Sequence, residues 1–279
     1  MLVTLVALCA EYTTKRVKAS PPFANKGFTN YGTQMSEELF DKICNEIIPH
    51  GNFVEMIILY GRGEALLDKN LEEKIEKLRN VGVKRIQLST NGALLTAERA
   101  KKIFAAGLND LRLSIDSVRK DVYEKIRVGL NYDTVIKNTI DTIGVRNKYY
   151  PDIPIRIRAV EMEENKDEKE EWITFWNKHI KDIDTAQFMM YSPKTASESN
   201  INDERTEPCI SPFSTMVIRC DGEVHLCCAD FTGAIKLGNI CNSTIRKVWQ
   251  SDTFKNIRNL HLSYKWSDIP FCRGCTIWE

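Results

Sequence analysis

The sequence predicts an α/β fold, in which a barrel-like N-terminal part is followed by a small cysteine-rich α+β module. Two observations predict it. Strand-like and helix-like segments alternate from residue 2 to residue 191. Seven of the nine cysteines lie beyond residue 208. With 279 residues, 43% of them hydrophobic, the chain is long enough to bury a large core.

Six segments of the first part have the short aliphatic pattern of buried strands. They are Leu2–Tyr12, Val54–Tyr60, Lys84–Thr90, Asp110–Ile115, Ile153–Val160 and Thr185–Tyr191. Helical segments separate them, and Ser36 and Thr96 stand where two of these helices need an N-cap. The helices are expected over residues 37–48, 70–80, 97–106, 132–148 and 167–180.

Repeated alternation of strands and helices predicts a parallel sheet. About 190 residues fall short of the ~250 of a closed eightfold barrel, so a partial (β/α)6 TIM-like barrel fits better. Such barrels carry their sites at the carboxyl ends of the strands. Here those ends read Gly61–Glu64, Thr90–Gly92 and Ser114–Asp116. Taken singly, each of these segments is equally typical of a plain turn.

The cysteines divide the chain into parts. Cys9 and Cys44 stand alone, and the polar segment Ser192–Pro208 reads as a linker. We therefore expect a barrel over residues 1–191, a linker over 192–208 and a module over 209–279. The cysteines of the module are Cys209, Cys220, Cys227, Cys228, Cys241, Cys272 and Cys275.

The charge balance restricts the classes of partner that we expect. The formal net charge is +1, which argues against a broad phosphate-binding surface, so we expect no nucleic-acid partner. No apolar run approaches the ~20 residues that span a bilayer, so we expect no membrane partner and a cytoplasmic location. The apolar stretch Leu2–Ala10 lacks a basic start and is interpreted as a strand, not a signal sequence.

Together, the motifs of the first part resemble those of the radical S-adenosylmethionine (SAM) superfamily. The match includes Met35–Phe40, Gly61-Arg-Gly-Glu-Ala-Leu-Leu67, Thr90–Leu95, Leu113–Ser117 and Tyr123-Glu-Lys-Ile-Arg127, in the family's order. The resemblance implies that Gly61, Gly63 and Glu64 hold the methionine amino group of SAM. It implies that Asn91 lies in the turn after the third strand, that Ser114 and Asp116 face the ribose, and that Arg127 meets the cofactor carboxylate.

The C-terminal module resembles the SPASM or twitch type, with the spacing Cys209, Gly222, Cys227 and a later Cys-x-x-Cys pair. Asp221-Gly222 predicts a tight hairpin that brings Cys209 and Cys227 together on neighbouring strands. The resemblance implies one auxiliary [4Fe–4S] cluster held by Cys209, Cys227, Cys272 and Cys275. A structural zinc held by the same four thiolates is the alternative.

The family's cluster motif C-x3-C-x2-C is not present as such. Val17, Pro21 and Ala24 occupy its three ligand positions, while Phe23 keeps the place of the family's aromatic residue. None of the three side chains carries a donor for iron, so the SAM-binding cluster is not expected to assemble.

Three interpretations follow. In the first, the chain is a radical SAM oxidoreductase of a small cyclitol, aminosugar or peptide substrate, in a form inactive in SAM cleavage. An active form would need a reductase partner, such as a flavodoxin- or ferredoxin-like protein. In the second, it is a natural pseudoenzyme that binds SAM, a substrate or a partner without radical chemistry. In the third, it is an interaction module stabilised by zinc.

One strand carries charge that the resemblance does not explain. Arg156 and Arg158 alternate with Ile155 and Ile157, so both arginines lie on one face of the strand. If that face is the barrel interior, they are candidates for binding an anionic group. If it is the outer face, they pair with helix carboxylates.

Overall fold

The computed structural model describes residues 3–7, 10–11, 33–59, 63–189, 205–227, 230, 233–273 and 275. The predictions for Cys9, Val17, Pro21, Phe23, Ala24, Gly61 and Cys228, and those for most of the linker, lie outside these residues.

Six parallel strands form the centre of the structure, in the order β1-β4-β5-β6-β7-β8. This confirms the predicted α/β fold, because each strand follows the previous one along the sheet, as in a partial barrel. The short pair β2 and β3 forms a separate antiparallel sheet. The bounds are β1 Val3–Ala7, β2 Ala10–Glu11, β3 Thr33–Gln34, β4 Val54–Leu59, β5 Arg85–Thr90, β6 Asp110–Ser114, β7 Ile155–Val160 and β8 Thr185–Met189.

The helices between these strands begin where their caps predict. The Ser36 hydroxyl accepts a hydrogen bond from the Leu39 amide, and the Thr96 hydroxyl accepts one from the Arg99 amide. A further helix, α4, was not predicted from the sequence. The bounds are α1 Glu37–Ile47, α2 Leu71–Asn80, α3 Ala97–Ala106, α4 Lys120–Ile126, α5 Tyr132–Tyr149 and α6 Lys169–Asn177.

The C-terminal part continues the sheet of the barrel. Strand β9 (Thr215–Ile218) pairs in parallel with β1, and β10 (Glu223–His225) and β11 (Lys236–Asn239) follow it in antiparallel order. Gly222 has φ +80° in the β9–β10 turn, and a Cβ there would lie 2.7 Å from Asn239 Oδ1. The predicted Asp221-Gly222 hairpin is therefore present, and glycine is required in it.

Helices α7 (Ser211–Ser214), α8 (Ile245–Trp249) and α9 (Asp252–Leu262) complete this part. Helix α1 of the barrel is bonded directly to it. Lys42 Nζ donates to the carbonyl oxygen of Ile240 at 2.6 Å, and Glu46 accepts from the Ile245 amide at 2.6 Å. The cysteine-rich part thus shares both a sheet and a helix contact with the barrel.

The two faces of the sheet differ in polarity. Ile155, Ile157 and Ala159 are 0% exposed in the apolar core that the helices cover. Arg156 and Arg158 alternate with them and lie on the opposite face, which we call the inner face. The second of the alternatives for these arginines, an outer face paired with helix carboxylates, is therefore wrong. No helix in the described part of the chain is long and apolar enough to cross a lipid bilayer.

Candidate functional site

The Glu64 carboxylate connects the ends of two neighbouring strands. Its Oε1 accepts hydrogen bonds from the Thr90 hydroxyl at 2.6 Å and from the Leu66 amide at 3.0 Å. Its Oε2 accepts one from the Asn91 amide at 2.9 Å. Burial raises the pKa of Glu64, against the opposing effect of these three donors. The carboxylate is held in one orientation at the carboxyl edge of the sheet, beside half-buried Gly63.

The segment after Glu64 is anchored by a side chain that sequence reasoning missed. Arg99, on α3, donates to the carbonyl oxygens of Leu66 at 2.5 Å and Asp68 at 2.8 Å. Asp68 also pairs with Lys74 at 2.8 Å, and both of these side chains are fully buried. Two helices therefore fix the loop that carries Glu64. No sequence motif marks Arg99, because its partners, these carbonyl oxygens and the Glu72 carboxylate, lie about thirty residues away.

Asp116 and Arg127 lie together at the end of β6. Arg127 Nε donates to Asp116 Oδ2 at 2.5 Å, and Asp116 Oδ1 accepts from the Val160 amide at 3.1 Å. The unpredicted helix α4 makes this pairing possible, because it returns the chain to the strand end. The resemblance gave these two residues separate contacts with SAM, whereas here they contact each other. Ser114 is half-buried on the same face of β6.

The Tyr123 hydroxyl is a buried polar group near Asp116 and Arg127. Its side chain is 0% exposed, and its hydroxyl makes no hydrogen bond in the described part of the structure. Burial raises its pKa, with smaller effects from the charges of Arg127, Asp116 and Glu64, so the four groups lie near one another. A buried hydroxyl without a partner costs about 1–3 kcal/mol, and a bound polar ligand would remove that cost. This observation fits the binding of SAM beside Glu64.

Hydrogen bonds from the segment that follows β7 hold the end of β6 in place. Asn165 Nδ2 donates to the carbonyl oxygens of Asp116 at 2.6 Å and Val160 at 2.9 Å. The fully buried Glu168 carboxylate accepts from the Ser117 hydroxyl at 2.7 Å and the Val118 amide at 3.1 Å. These bonds hold the site residues of β6 in place without contacting a ligand themselves.

A second centre surrounds the Cys-x-x-Cys pair. Arg205 is 6% exposed, and its Nη2 donates to the carbonyl oxygens of Cys272 at 3.0 Å and Cys275 at 3.1 Å. Its guanidinium packs over the Trp266 ring, 5.2 Å from the ring centre. Burial raises the pKa of Cys272 to about 12, and the nearby charges of Cys275 and Cys209 add to this. Three of the four predicted ligands therefore lie in one neighbourhood.

The prediction that the hairpin brings Cys209 and Cys227 together on neighbouring strands is wrong. Cys209 precedes α7, and Cys227 lies two residues beyond β10. The Cys209 amide donates to Nδ1 of His261 at 3.3 Å. Burial and the charge of Arg205 lower the pKa of His261 to about 4, so its ring is neutral and accepts this bond.

The four predicted ligands of the C-terminal part are all thiols. Four thiols suit both an iron–sulfur cluster and a zinc ion. Among the described residues, no three His, Cys, Asp or Glu side chains are close enough together to hold a single metal ion. A tetrahedral zinc needs all four sulfurs about 2.3 Å from one centre. A [4Fe–4S] cluster instead takes one thiolate at each of its four irons.

Comparison with protein families assigns both parts of the chain. A model described as the radical SAM superfamily matches residues 9–142, and a model described as SPASM, an iron–sulfur cluster-binding domain, matches residues 209–276. Together they match most of the chain. These families imply [4Fe–4S] clusters and SAM as cofactors.

The curated relatives match only in part. A probable GTP 3′,8-cyclase of Methanococcus maripaludis is 36% identical over 115 residues, which is 41% of this chain and 37% of that protein. The chain thus matches little more than a third of that relative's length.

Two solved structures resemble nearly the whole chain. BtrN in complex with AdoMet and 2-DOIA has a TM-score of 0.63 at 16% identity, covering 99% of this chain and 93% of that one. Native anSMEcpe with bound AdoMet and the Cp18Cys peptide has a TM-score of 0.70 at 17% identity, covering 99% and 89%. At this identity the likeness shows the fold alone.

Proposed function

The chain belongs to the radical SAM superfamily and carries a SPASM domain, and from this premise we propose that it has the scaffold of a SAM-dependent oxidoreductase that binds SAM but does not cleave it. The observation that carries the proposal is the polar site formed by Glu64, Asp116, Arg127 and Tyr123 at the carboxyl edge of the sheet. The sequence positions for the cluster ligands, in contrast, hold Val17, Pro21 and Ala24.

Each residue of this site has a proposed role in binding SAM. The Glu64 carboxylate accepts hydrogen bonds from the SAM ammonium group, since a carboxylate has more acceptor positions than its three present donors use. Tyr123 donates its hydroxyl proton to a ligand oxygen. Ser114 and Asp116 line the ribose position. Arg127 orients Asp116, and its guanidinium has four further N–H donors for the cofactor carboxylate.

The SPASM part would supply the second half of the chemistry in a form that carries both clusters. In such a form, SAM reduced by one electron from an external donor would supply a hydrogen-abstracting radical, and the auxiliary cluster would take up one electron from the resulting substrate radical, so that a substrate carbon would be oxidised by two electrons. Cys209, Cys227, Cys272 and Cys275 are the proposed ligands of that cluster. Arg205 holds the last two of them through their carbonyl oxygens.

Proteins of similar fold indicate the substrate class. BtrN was solved with 2-DOIA and anSMEcpe with a peptide, so both small molecules and peptides are handled by proteins of this fold. The match to proteins named GTP 3′,8-cyclase covers only 41% of the chain. We therefore propose a small-molecule or peptide substrate, and a flavodoxin- or ferredoxin-like electron donor for any form that carries both clusters.

Metal content and SAM binding test the proposal. The chain is expected to bind SAM in calorimetry, to absorb near 400 nm, and to contain about four irons, since one cluster has ligands. The triple variant Val17→Cys, Pro21→Cys, Ala24→Cys is expected to contain about eight irons and to release 5′-deoxyadenosine with a reductant. Absence of SAM binding in both proteins would overturn the proposal. Zinc in place of iron would favour the interaction module.

A further inference from the structure

The Nε2 atom of His261 is a buried polar group without a hydrogen-bond partner in the described part of the chain. The side chain is 0% exposed, and Nε2 bonds to no described oxygen, nitrogen or thiol sulfur. We propose that His261 Nε2 donates a hydrogen bond to an inorganic sulfide of the auxiliary cluster and thereby raises the reduction potential of that cluster. The inference rests on the proposed function, because it needs an iron–sulfur cluster at the four cysteines.

The bond at the other ring nitrogen fixes the position of the proton. His261 Nδ1 accepts a hydrogen bond from the Cys209 amide at 3.3 Å, and a ring nitrogen that accepts carries no proton. The proton of the neutral ring is therefore on Nε2, which makes that atom a donor. A buried N–H group of this kind destabilises the fold unless an acceptor faces it.

Helix α9 brings this ring to the cysteines of the C-terminal part. Phe254, Ile257 and His261 are buried and share one face of the helix, at spacings of three and four residues. His261 lies in the last turn, where it contacts Cys209, one of the four proposed ligands. The apolar pattern of α9 accounts for the burial of the ring, but it does not supply an acceptor for Nε2.

Two neighbouring side chains offer no acceptor either. The rings of His261 and Trp266 lie 6.2 Å apart, centre to centre. The Arg205 guanidinium packs over Trp266 and donates to the carbonyl oxygens of Cys272 and Cys275. Tryptophan and arginine side chains contain N–H donors and no acceptors. These contacts also connect His261 to the Cys-x-x-Cys pair, so the ring lies in the neighbourhood of three proposed ligands.

A sulfide supplies the kind of acceptor that Nε2 needs. A [4Fe–4S] cluster contains four inorganic sulfides, and hydrogen bonds to its sulfurs help to set its reduction potential. A zinc ion held by the same four thiolates brings no acceptor of its own. None of the four described thiols accepts from Nε2 at its present position. The unpaired N–H of His261 therefore favours the cluster over zinc at this centre.

The proposed bond acts on the affinity of the cluster for an electron. Reduction adds negative charge to the sulfurs, and an N–H donor stabilises the more negative state more strongly. Because His261 is fully buried, little water competes with this effect. A higher potential makes the cluster a better acceptor for the electron of a substrate radical. His261 thus favours net oxidation of the substrate over a redox-neutral rearrangement.

Two variants separate the roles of the two ring nitrogens. Asparagine can accept from the Cys209 amide but is too short to reach the Nε2 position, whereas glutamine can place an NH2 group there. His261→Asn is expected to lower the ratio of reduced to oxidised cluster at a fixed potential at least tenfold, which is about 59 mV for one electron. His261→Gln and the exposed control His50→Asn are expected to match the parent. Redox titration followed by absorbance near 400 nm measures this, and circular dichroism establishes that each variant is folded.

Pulsed electron paramagnetic resonance identifies the donor directly. In the reduced parent grown with histidine that carries a heavy nitrogen isotope, we expect coupling between the cluster and a histidine nitrogen. Both His261 variants are expected to lack this coupling, so labelled His261→Gln provides the comparison if His261→Asn does not retain the cluster. Absence of coupling in the parent, equal coupling in the variants, or equal potentials in all three proteins would overturn the inference.

Metal content and SAM binding distinguish the failure of the inference from that of the proposed function. Zinc in place of iron would overturn the cluster and the inference together. Iron at about four atoms per chain with unchanged potentials would overturn the inference alone. The expected shift in His261→Asn, in a parent protein that fails to bind SAM, would refute the proposed SAM site and leave the role of His261 supported.

Discussion

Asp116 and Arg127 form a buried ion pair, in which Arg127 Nε lies 2.5 Å from a carboxylate oxygen of Asp116. The side chains are 1% and 12% exposed. An ion pair that is shielded from water is costly to break, because the remaining partner keeps its charge without compensation. The pair therefore ties α4 to the end of β6 and orients the site at the same time.

The first prediction concerns this pair. Arg127→Gln is expected to lower the free energy of unfolding by about 3–5 kcal/mol, because it leaves the Asp116 carboxylate buried and unpaired. Arg119→Gln is the control, since Arg119 pairs with two carboxylates, Asp167 and Glu171, but is 38% exposed. Its loss is expected to change the free energy of unfolding far less, because water and salt screen exposed ion pairs. Urea denaturation measures both, and equal losses would contradict a buried role for the pair.

The second prediction concerns Glu64 and its ligand. Glu64→Gln keeps the shape of the side chain but replaces an acceptor oxygen by an NH2 group, which faces an N–H or O–H donor. SAM affinity is expected to fall at least tenfold, and the free energy of unfolding by about 1–3 kcal/mol. The exposed Glu98→Gln is expected to leave SAM affinity unchanged. Calorimetry with SAM and urea denaturation check this, and unchanged SAM affinity would remove Glu64 from the proposed site.

The third prediction gives the pH dependence of the same residue. Burial raises the pKa of Glu64 above 4.5, so above that pH the unfolded chain binds fewer protons at this position than the folded one. The parent is therefore expected to lose stability relative to Glu64→Gln as pH rises through 4.5, until the folded-state pKa is passed.

Glu98 provides a control of opposite sign. Its hydrogen bond with Lys102 lowers its pKa below 4.5. The parent is therefore expected to lose stability relative to Glu98→Gln as pH falls through 4.5. Thermal unfolding of the three proteins between pH 3 and pH 8 measures both trends. A parent curve that runs parallel to the curve of either variant would contradict the prediction for that residue.

The fold was largely predictable because its signals are local. Each N-cap, Ser36 or Thr96, and the apolar pattern of each strand depend on only a few consecutive residues. The structure confirms both caps and the strands. Helix α4 was missed because its seven residues are too few to show a clear helical period. The pairing of β9 with β1 was missed because no local pattern encodes the partner of a strand two hundred residues away.

The sequence motifs indicate candidate site residues but not the contacts among them. The motifs point to Glu64, Asn91, Asp116 and Arg127 as candidates. In the structure, the Asn91 amide donates a hydrogen bond to the Glu64 carboxylate. The Asp116–Arg127 pair is different, because it depends on how α4 folds back on the sheet. Residues such as Arg99, which donate hydrogen bonds to main-chain oxygens, belong to no recognisable sequence motif.

The last prediction concerns the Cys-x-x-Cys segment. Arg205 joins the carbonyl oxygens of Cys272 and Cys275 through one nitrogen and packs on Trp266. Residues that orient metal ligands typically change metal affinity by ten- to a hundredfold when they are replaced. Arg205→Gln is therefore expected to lose iron to a chelator at least ten times faster than the parent.

Arg273 is a close control for Arg205. It lies between the two cysteines, but its side chain is exposed and donates to the Ser267 carbonyl oxygen at 2.9 Å. Arg273→Gln is expected to retain iron like the parent, because this bond lies outside the ligand loop. The decay of absorbance near 400 nm measures both rates. Equal rates in the two variants would mean that the ligand loop holds its shape without Arg205.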